Sequence, residues 1–175
     1  MASEGQFLIE RLNPAHHRRE EFRCESTELT LFLRQRARKE MEALASACFV
    51  LVPVGDSGRI AGYYTLSASE ITATDVPPAV ATRLPRYPHL PATLLGRLAR
   101  DEAFRGQGIG DRLVHDALRR AFAGSAEIGA LAVITDPKDA KAERFYTDFG
   151  FRPFKGRRMF LPMLEIGRLL REPTS

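Results

Sequence analysis

Long apolar runs, cysteine and lysine are all scarce in this 175-residue chain. No stretch of about 18 apolar residues is present to span a bilayer, and Met1 to Gln6 is polar, without the apolar core of a signal peptide, so a soluble, cytoplasmic protein is expected. The two cysteines, Cys24 and Cys48, form neither a C-x-x-C pair nor a Cys/His cluster. That pattern excludes a disulfide framework and a zinc site, and no metal is expected. No Ser/His/Asp arrangement and no cysteine in a basic setting is found, which argues against a covalent acyl-enzyme. Internal repeats and low-complexity segments are also missing. Arginine supplies 22 of the 26 basic residues. A formal charge of +4 allows an anionic partner without demanding one, and the arginine bias fits phosphate recognition or a GC-rich genome equally well. With 44% hydrophobic residues, residues 1–175 suffice for one domain with a proper core.

What is present alternates in period. Phe7 to Leu12 reads as a strand and Pro14 to Phe22 as a short helix. Ser26 is an N-cap for a longer helix in which Leu29, Phe32, Leu33, Ala37, Met41 and Leu44 recur at helical spacing. The polar side of that helix carries Arg34, Arg38 and Lys39, either a solvated face or a nucleic-acid contact. Strands over Ala47 to Val54 and Arg59 to Ser69 flank a hairpin turn. Five prolines between Thr72 and Pro91 exclude a regular element there. Thr93 to Arg100 is the next strand, and Asp111 to Phe122 a helix that turns Leu113, Val114 and Ala117 inward and His115 outward. A strand over Ala130 to Ile134, a helix over Asp139 to Phe149 and strands over Phe151 to Phe154 and Arg158 to Leu161 complete the chain. Such alternation argues an α/β fold with a central mixed sheet and helices on its faces.

Between the strand ending at Arg100 and the next helix lies Arg105-Gly106-Gln107-Gly108-Ile109-Gly110. Glycines let a backbone approach an anion closely, and the amides entering a helix face it with the positive end of the dipole. A Rossmann fingerprint would need glycine where Asp111 stands, and a P-loop would need G-K-[ST]; both fail. A plain glycine-rich turn or a phosphate loop of another kind remains. Further on, Ala142, Phe145, Tyr146 and Phe149 share a helical face. Core packing accounts for the two phenylalanines, whereas the Tyr146 hydroxyl needs a partner if buried.

The pattern [QR]-x-x-G-x-[GA], met by Arg105, Gly108 and Gly110, resembles the pyrophosphate loop of the GNAT acetyltransferases, and Ala142 to Phe151 is similar to that family's A-x-x-F-Y-x-x-x-G-F ending. The resemblance implies a mostly antiparallel sheet with a V-shaped opening for acetyl-coenzyme A. In it Arg105, Gly106, Gln107, Gly108, Ile109 and Gly110 would hold the pyrophosphate, and the backbone of Leu98, Ala99 and Arg100 would pair with the pantetheine amides. Asp139, in the adenine-side stretch Asp136-Pro137-Lys138-Asp139, would be a further contact, although the Asn common in the wider family is absent. Tyr146 would be the general acid for the departing thiolate, in direct transfer to an amine.

Phe22-Arg23-Cys24 with Leu29, Phe32-Leu33 and Ala37-Arg38, then Gly62-Tyr63-Tyr64-Thr65-Leu66-Ser67, Leu84-Pro85-Arg86-Tyr87-Pro88 and Leu95-Gly96-Arg97-Leu98-Ala99 resemble the GNAT toxins of type II toxin–antitoxin pairs. This implies acetylation of the α-amino group of charged tRNA and a block of translation. Arg34, Arg38 and Lys39 would then contact tRNA. A ribbon-helix-helix antitoxin, through which alone DNA would be reached, and a homodimer follow from the same resemblance. Arg100 departs from the apolar residue often found there. The competing readings are a GNAT enzyme for a small amine or protein N-terminus, and a non-catalytic coenzyme-binding module.

Overall fold

A computed structural model describes residues 6–172 of the chain. Seven strands are hydrogen-bonded in the order β1-β2-β3-β4-β5-β7-β6: β1 Phe7–Arg11, β2 Ala47–Pro53, β3 Gly62–Thr72, β4 His89–Arg100, β5 Ala132–Thr135, β6 Arg152–Lys155 and β7 Arg158–Pro162. β4 and β5 run parallel and the pairs β1/β2, β2/β3, β5/β7 and β6/β7 antiparallel. The expected mixed, mostly antiparallel sheet with helices is borne out. Contacts divide the chain into two compact units, Met1–Ser67 with Gly96–Ala117, and Ala68–Leu95 with Leu118–Ser175.

In the first unit the helix expected after Ser26 forms in three pieces: α1 Thr27–Leu31, a wider π-helical turn Phe32–Arg36, and α2 Ala37–Glu42. The Ser26 side chain accepts from the Leu29 N–H, as an N-cap should. Phe32, Leu33 and Ala37 pack with Cys48, Val50 and Val52 of β2, Tyr63 of β3 and Phe22 in one buried cluster. Burying a side chain such as Phe22 contributes about 1.5–3 kcal/mol. Leu44 departs from the expected periodic face, since it is 91% exposed and adopts φ 58°. It ends the helix in the left-handed conformation that glycine normally takes there.

Three further expectations are corrected. Pro14 to Phe22 holds only a short 3₁₀ turn, Arg19–Glu21, because Asn13 accepts from the amides of His16 and His17 and closes the chain into turns. The proline-rich stretch contains a 3₁₀ turn, Ala73–Asp75, and the short helix α3, Pro78–Ala81, which begins on a proline at its first position. β4 starts earlier than expected and includes Pro91. A helix α6, Met163–Leu169, follows β7 and has no counterpart in the sequence reading. In the second unit β3, β4, β5 and β7 contribute a core of Ile71, Leu90, Ala92, Ile134 and Phe160, and α5, Ala140–Asp148, follows β5. Among the described residues no helix is long and apolar enough to cross a membrane.

Candidate active site

In the first unit, the chain leaves β4 at Arg100 and immediately meets Asp101, only 2% exposed. Its carboxylate accepts from the amides of Arg23 and Ala103 at 2.9 and 2.8 Å and from both terminal nitrogens of Arg59, the shorter contact 3.0 Å. Four donors on one buried carboxylate fix the start of the loop. The sequence reading missed Asp101; its position as N-cap of the turn Glu102–Phe104 was the available signal. Gly106 and Gly108 follow with φ 76° and 70°. A Cβ at either would meet no heavy atom within 4 Å, so both face open space. Backbone conformation is therefore what requires glycine at these two positions.

α4, Ile109–Gly124, begins directly after Gly108, whose carbonyl accepts the Arg112 N–H at 3.2 Å. Ile109 is buried and anchors the helix start, while Gly110 lies within its first turn. Arg105 is turned to an exposed ion pair with Glu25 at 2.7 Å. Leu98, Ala99 and Arg100 are the last residues of β4, and Ala99 faces the buried cluster around Phe22. Asp116 of α4, which the sequence did not single out, is buried and accepts from the Tyr64 hydroxyl at 2.6 Å.

In the second unit Tyr146 sits on α5 at 7% exposure, ringed by Phe145 and Phe151. Burial pushes its phenol up to about 12, and Thr135 pulls in the opposite direction. The single Thr135 hydroxyl proton goes to the Leu95 carbonyl at 3.0 Å, so burial is the dominant influence. Tyr146 is a protonated hydrogen-bond donor throughout the neutral range. Asp139 caps α5, its carboxylate accepting the Ala142 N–H at 2.8 Å. A recess of about 570 Å³ opens on this unit, with Glu70, Asp75, Asp136, Lys155 and Arg158 in its lining. Lys155 pairs with Asp75, and Arg158 grips Asp136 through two bonds of 2.7 and 2.9 Å.

The basic face on the first unit's helix is only partly free. Arg34 turns inward at the π-helical turn and donates twice to the Phe22 carbonyl, at 2.9 and 2.7 Å. Arg38 pairs with Glu42 at 2.7 Å on the surface, and Lys39 is exposed. Cys48 is buried and its thiol pushed up to about 12, chiefly by burial, which removes it as a nucleophile at neutral pH. Glu10, His16 and His17 lie close enough to share a cation. However, His17 Nδ1 accepts the Asn13 N–H at 2.8 Å, so its Nε2 carries the proton given to Glu10, and no lone pair of that ring is left for a metal.

A left-handed glycine loop feeding a helix N-terminus presents amides that can hold an anion. The chain belongs to the acetyltransferase (GNAT) family, whose description matches residues 12–151. It is 28% identical to the probable toxin TacT of Sinorhizobium fredii over 97% of this chain and 99% of that one. It is 32% identical to a tRNA-acetylating toxin of Mycobacterium tuberculosis over 69% of each. Among solved structures, AtaT complexed with acetyl-methionyl-tRNAfMet superposes with a TM-score of 0.86 at 28% identity, covering 94% of this chain and 99% of that one. A tyrosine-to-phenylalanine mutant of AtaT, bound to the C-terminus of the antitoxin AtaR and acetyl-CoA, gives 0.81 at 26% identity, covering 95% and 99%.

Proposed function

We propose that this GNAT acetyltransferase is the toxin of a toxin–antitoxin pair and moves the acetyl group of acetyl-coenzyme A to the α-amino group of an aminoacyl-tRNA. The observation that carries the reading is the pair of open, left-handed glycines, Gly106 and Gly108, at the start of α4. Amides presented without side chains beside a helix N-terminus suit a pyrophosphate. The fit extends to Gln107, Ile109 and Gly110, which complete that turn, and to Arg105, whose exposed pair with Glu25 costs little to open. The end of β4, Leu98 to Arg100, supplies backbone groups for the pantetheine amides, and Asp139 lies at the start of α5 for the adenine side.

Acetyl-coenzyme A, when bound, supplies the activated thioester. A peptide α-amine titrates near about 7.7–8.0, so a usable neutral fraction exists without a strong general base. Tyr146 donates a hydrogen bond to the sulfur as it gathers charge. With its phenol near 12, outright transfer to a thiolate of ordinary pKa, about 8.5, is uphill. The proton released by the attacking amine restores the balance. Tyr146 thus holds and relays a proton rather than surrendering one permanently. Arg38 and Lys39 offer phosphate contacts, with Arg34 setting the helix that carries them. An antitoxin partner is supported by the relatives' description as toxins and by the antitoxin bound to AtaT; its ribbon-helix-helix form, a homodimeric assembly and a cytoplasmic setting belong to the same reading through the family resemblance alone.

The test is incubation of the purified protein with acetyl-coenzyme A and charged or uncharged tRNA, with mass spectrometry of the nuclease-released aminoacyl adenosine. Acetylation of the charged species alone is expected. Efficient transfer to free amines or peptide N-termini, with charged tRNA inert, would instead identify a small-amine or protein N-terminus enzyme.

A further inference from the structure

Nε of Arg100 is the single buried side-chain nitrogen without a hydrogen-bond partner among the described residues. The neighbouring Arg59 shows how this fold normally treats a half-buried guanidinium, since it is gripped by the Asp101 carboxylate. Arg100 has no such carboxylate among the described residues. A buried donor left unmade is a standing cost that native structures rarely carry without a use.

Its position suggests the use. The Asp101 N–H donates to the Ala61 carbonyl at 2.9 Å, which sets Arg100 opposite Gly62 in an antiparallel register. Ala99 points into the cluster around Phe22 and Tyr63, so alternation sends Arg100 to the other face of the strand. That face is covered by the first turns of α4, because a Cβ on Gly62 would stand only 2.7 Å from Ile109 and 2.9 Å from Leu113. The Arg100 stem therefore runs beside the positive end of α4, where a cation is disfavoured. One anion relieves both the orphaned donor and the unfavourable pairing of positive charges.

We propose that the Arg100 side chain is a phosphoryl contact, acting with the loop amides on a phosphate ester of a nucleotide ligand. This rests on reading the loop as a phosphate site. The phosphate belongs either to the coenzyme or to the 3′ end of the charged tRNA, and donor choice separates them. Arg100→Met keeps the apolar stem and deletes the planar donors. Its kcat/KM is to be measured with acetyl-coenzyme A and with acetyl-pantetheine, which carries no phosphate, alongside the KM for charged tRNA and the Tm of the free protein.

A coenzyme phosphate predicts a roughly 10- to 100-fold loss with acetyl-coenzyme A, the size of a hydrogen bond to a charged group, and no loss with acetyl-pantetheine. A tRNA phosphate predicts equal behaviour of the two donors and a KM for charged tRNA raised by a similar factor. In either case Tm holds or rises, because an unmet donor has been removed, and Arg100→Lys recovers part of the loss. Unchanged kinetics with both donors and with tRNA overturn the proposal. So does a lowered Tm with both donors reduced alike, which marks a packing role. If the wild-type protein itself shows no preference for acetyl-coenzyme A over acetyl-pantetheine, the loop reading and the proposal fall together. A wild-type preference that Arg100→Met keeps intact, with unaltered KM for tRNA, removes only the role of Arg100.

Discussion

The glycine loop of the first unit and the tyrosine of the second are built from different materials. In the proposed site the working parts at Gly106 and Gly108 are backbone amides, held by φ angles of 76° and 70° that an L side chain resists. At Tyr146 the proposed working part is one hydroxyl, with the rings of Phe145 and Phe151 against the tyrosine ring and burial keeping the phenol protonated. A site made of backbone is sensitive to shape and indifferent to functional groups. A site made of one atom has the opposite sensitivity, and substitutions can tell the two apart.

The largest contrast is expected from Tyr146→Phe, which deletes the hydroxyl and keeps the ring. Acid assistance contributes about 10² to 10⁴ in rate, so kcat on charged tRNA should fall by that range while calorimetric affinity for acetyl-coenzyme A stays put. Toxicity on induction should vanish with it. Near-normal turnover with a depressed Tm would make Tyr146 a packing residue and erase the comparison.

Next comes Asp101→Ala, which strips the loop of its anchor without touching a glycine. Breaking a buried ion pair costs about 3–5 kcal/mol, and the low end applies because the Arg59 side chain keeps 20% of its surface in water. Thermal unfolding should show this as a clear drop in Tm. A drop much smaller than that would mean that the four donors on Asp101 find other partners.

A smaller pair of effects isolates the backbone itself. Gly108→Ala forces a left-handed angle on an L residue and should cost about 1–2 kcal/mol together with coenzyme affinity. Leu44→Gly relaxes the same kind of strain at an exposed helix end and should raise stability by up to about 1 kcal/mol. If chemical denaturation moved both variants in the same direction, backbone angle would not be what makes these positions special.

Acidity sharpens the other side. The free amine accumulates as pH rises through about 8, and Tyr146 stays protonated to about 12, so the rate should climb and then level, with no descending limb below about pH 10. Stability follows the opposite course. Tyr146 and Cys48 both have folded-state values raised by burial to about 12, so the unfolded chain loses its protons first, near pH 9 to 10, and stability falls as pH rises from there toward 12. Cys48→Ala should flatten part of that decline in Tm. The smallest effect is reserved for the helix surface: neutralising Arg38 and Lys39 should each lower the slope of log affinity for charged tRNA against log salt by about 0.7–0.9. Arg34, tied to the Phe22 carbonyl, should alter stability more than salt dependence.

Period, punctuation and motif spacing carried much of this molecule in one dimension. The alternation of strands and helices, the N-cap at Ser26 and the glycine loop before α4 are properties of neighbours in sequence, and local sterics and local hydrogen bonds decide them. Other features needed partners brought from far along the chain. The inward turn of Arg34 depends on Phe22, the anchoring of Asp101 on Arg59, and the raised pKa of the Tyr146 phenol on the burial of that one side chain of α5. The sequence marked Arg100 as a departure from the apolar residue often found there, but only the tertiary structure gives it a buried Nε without a hydrogen-bond partner. Burial and long-range pairing depend on three-dimensional packing, to which a periodicity reading is blind, and for that reason the tertiary structure alone decided that Arg34 and Arg59 are tied inside the fold while Arg100 keeps a buried Nε without a partner.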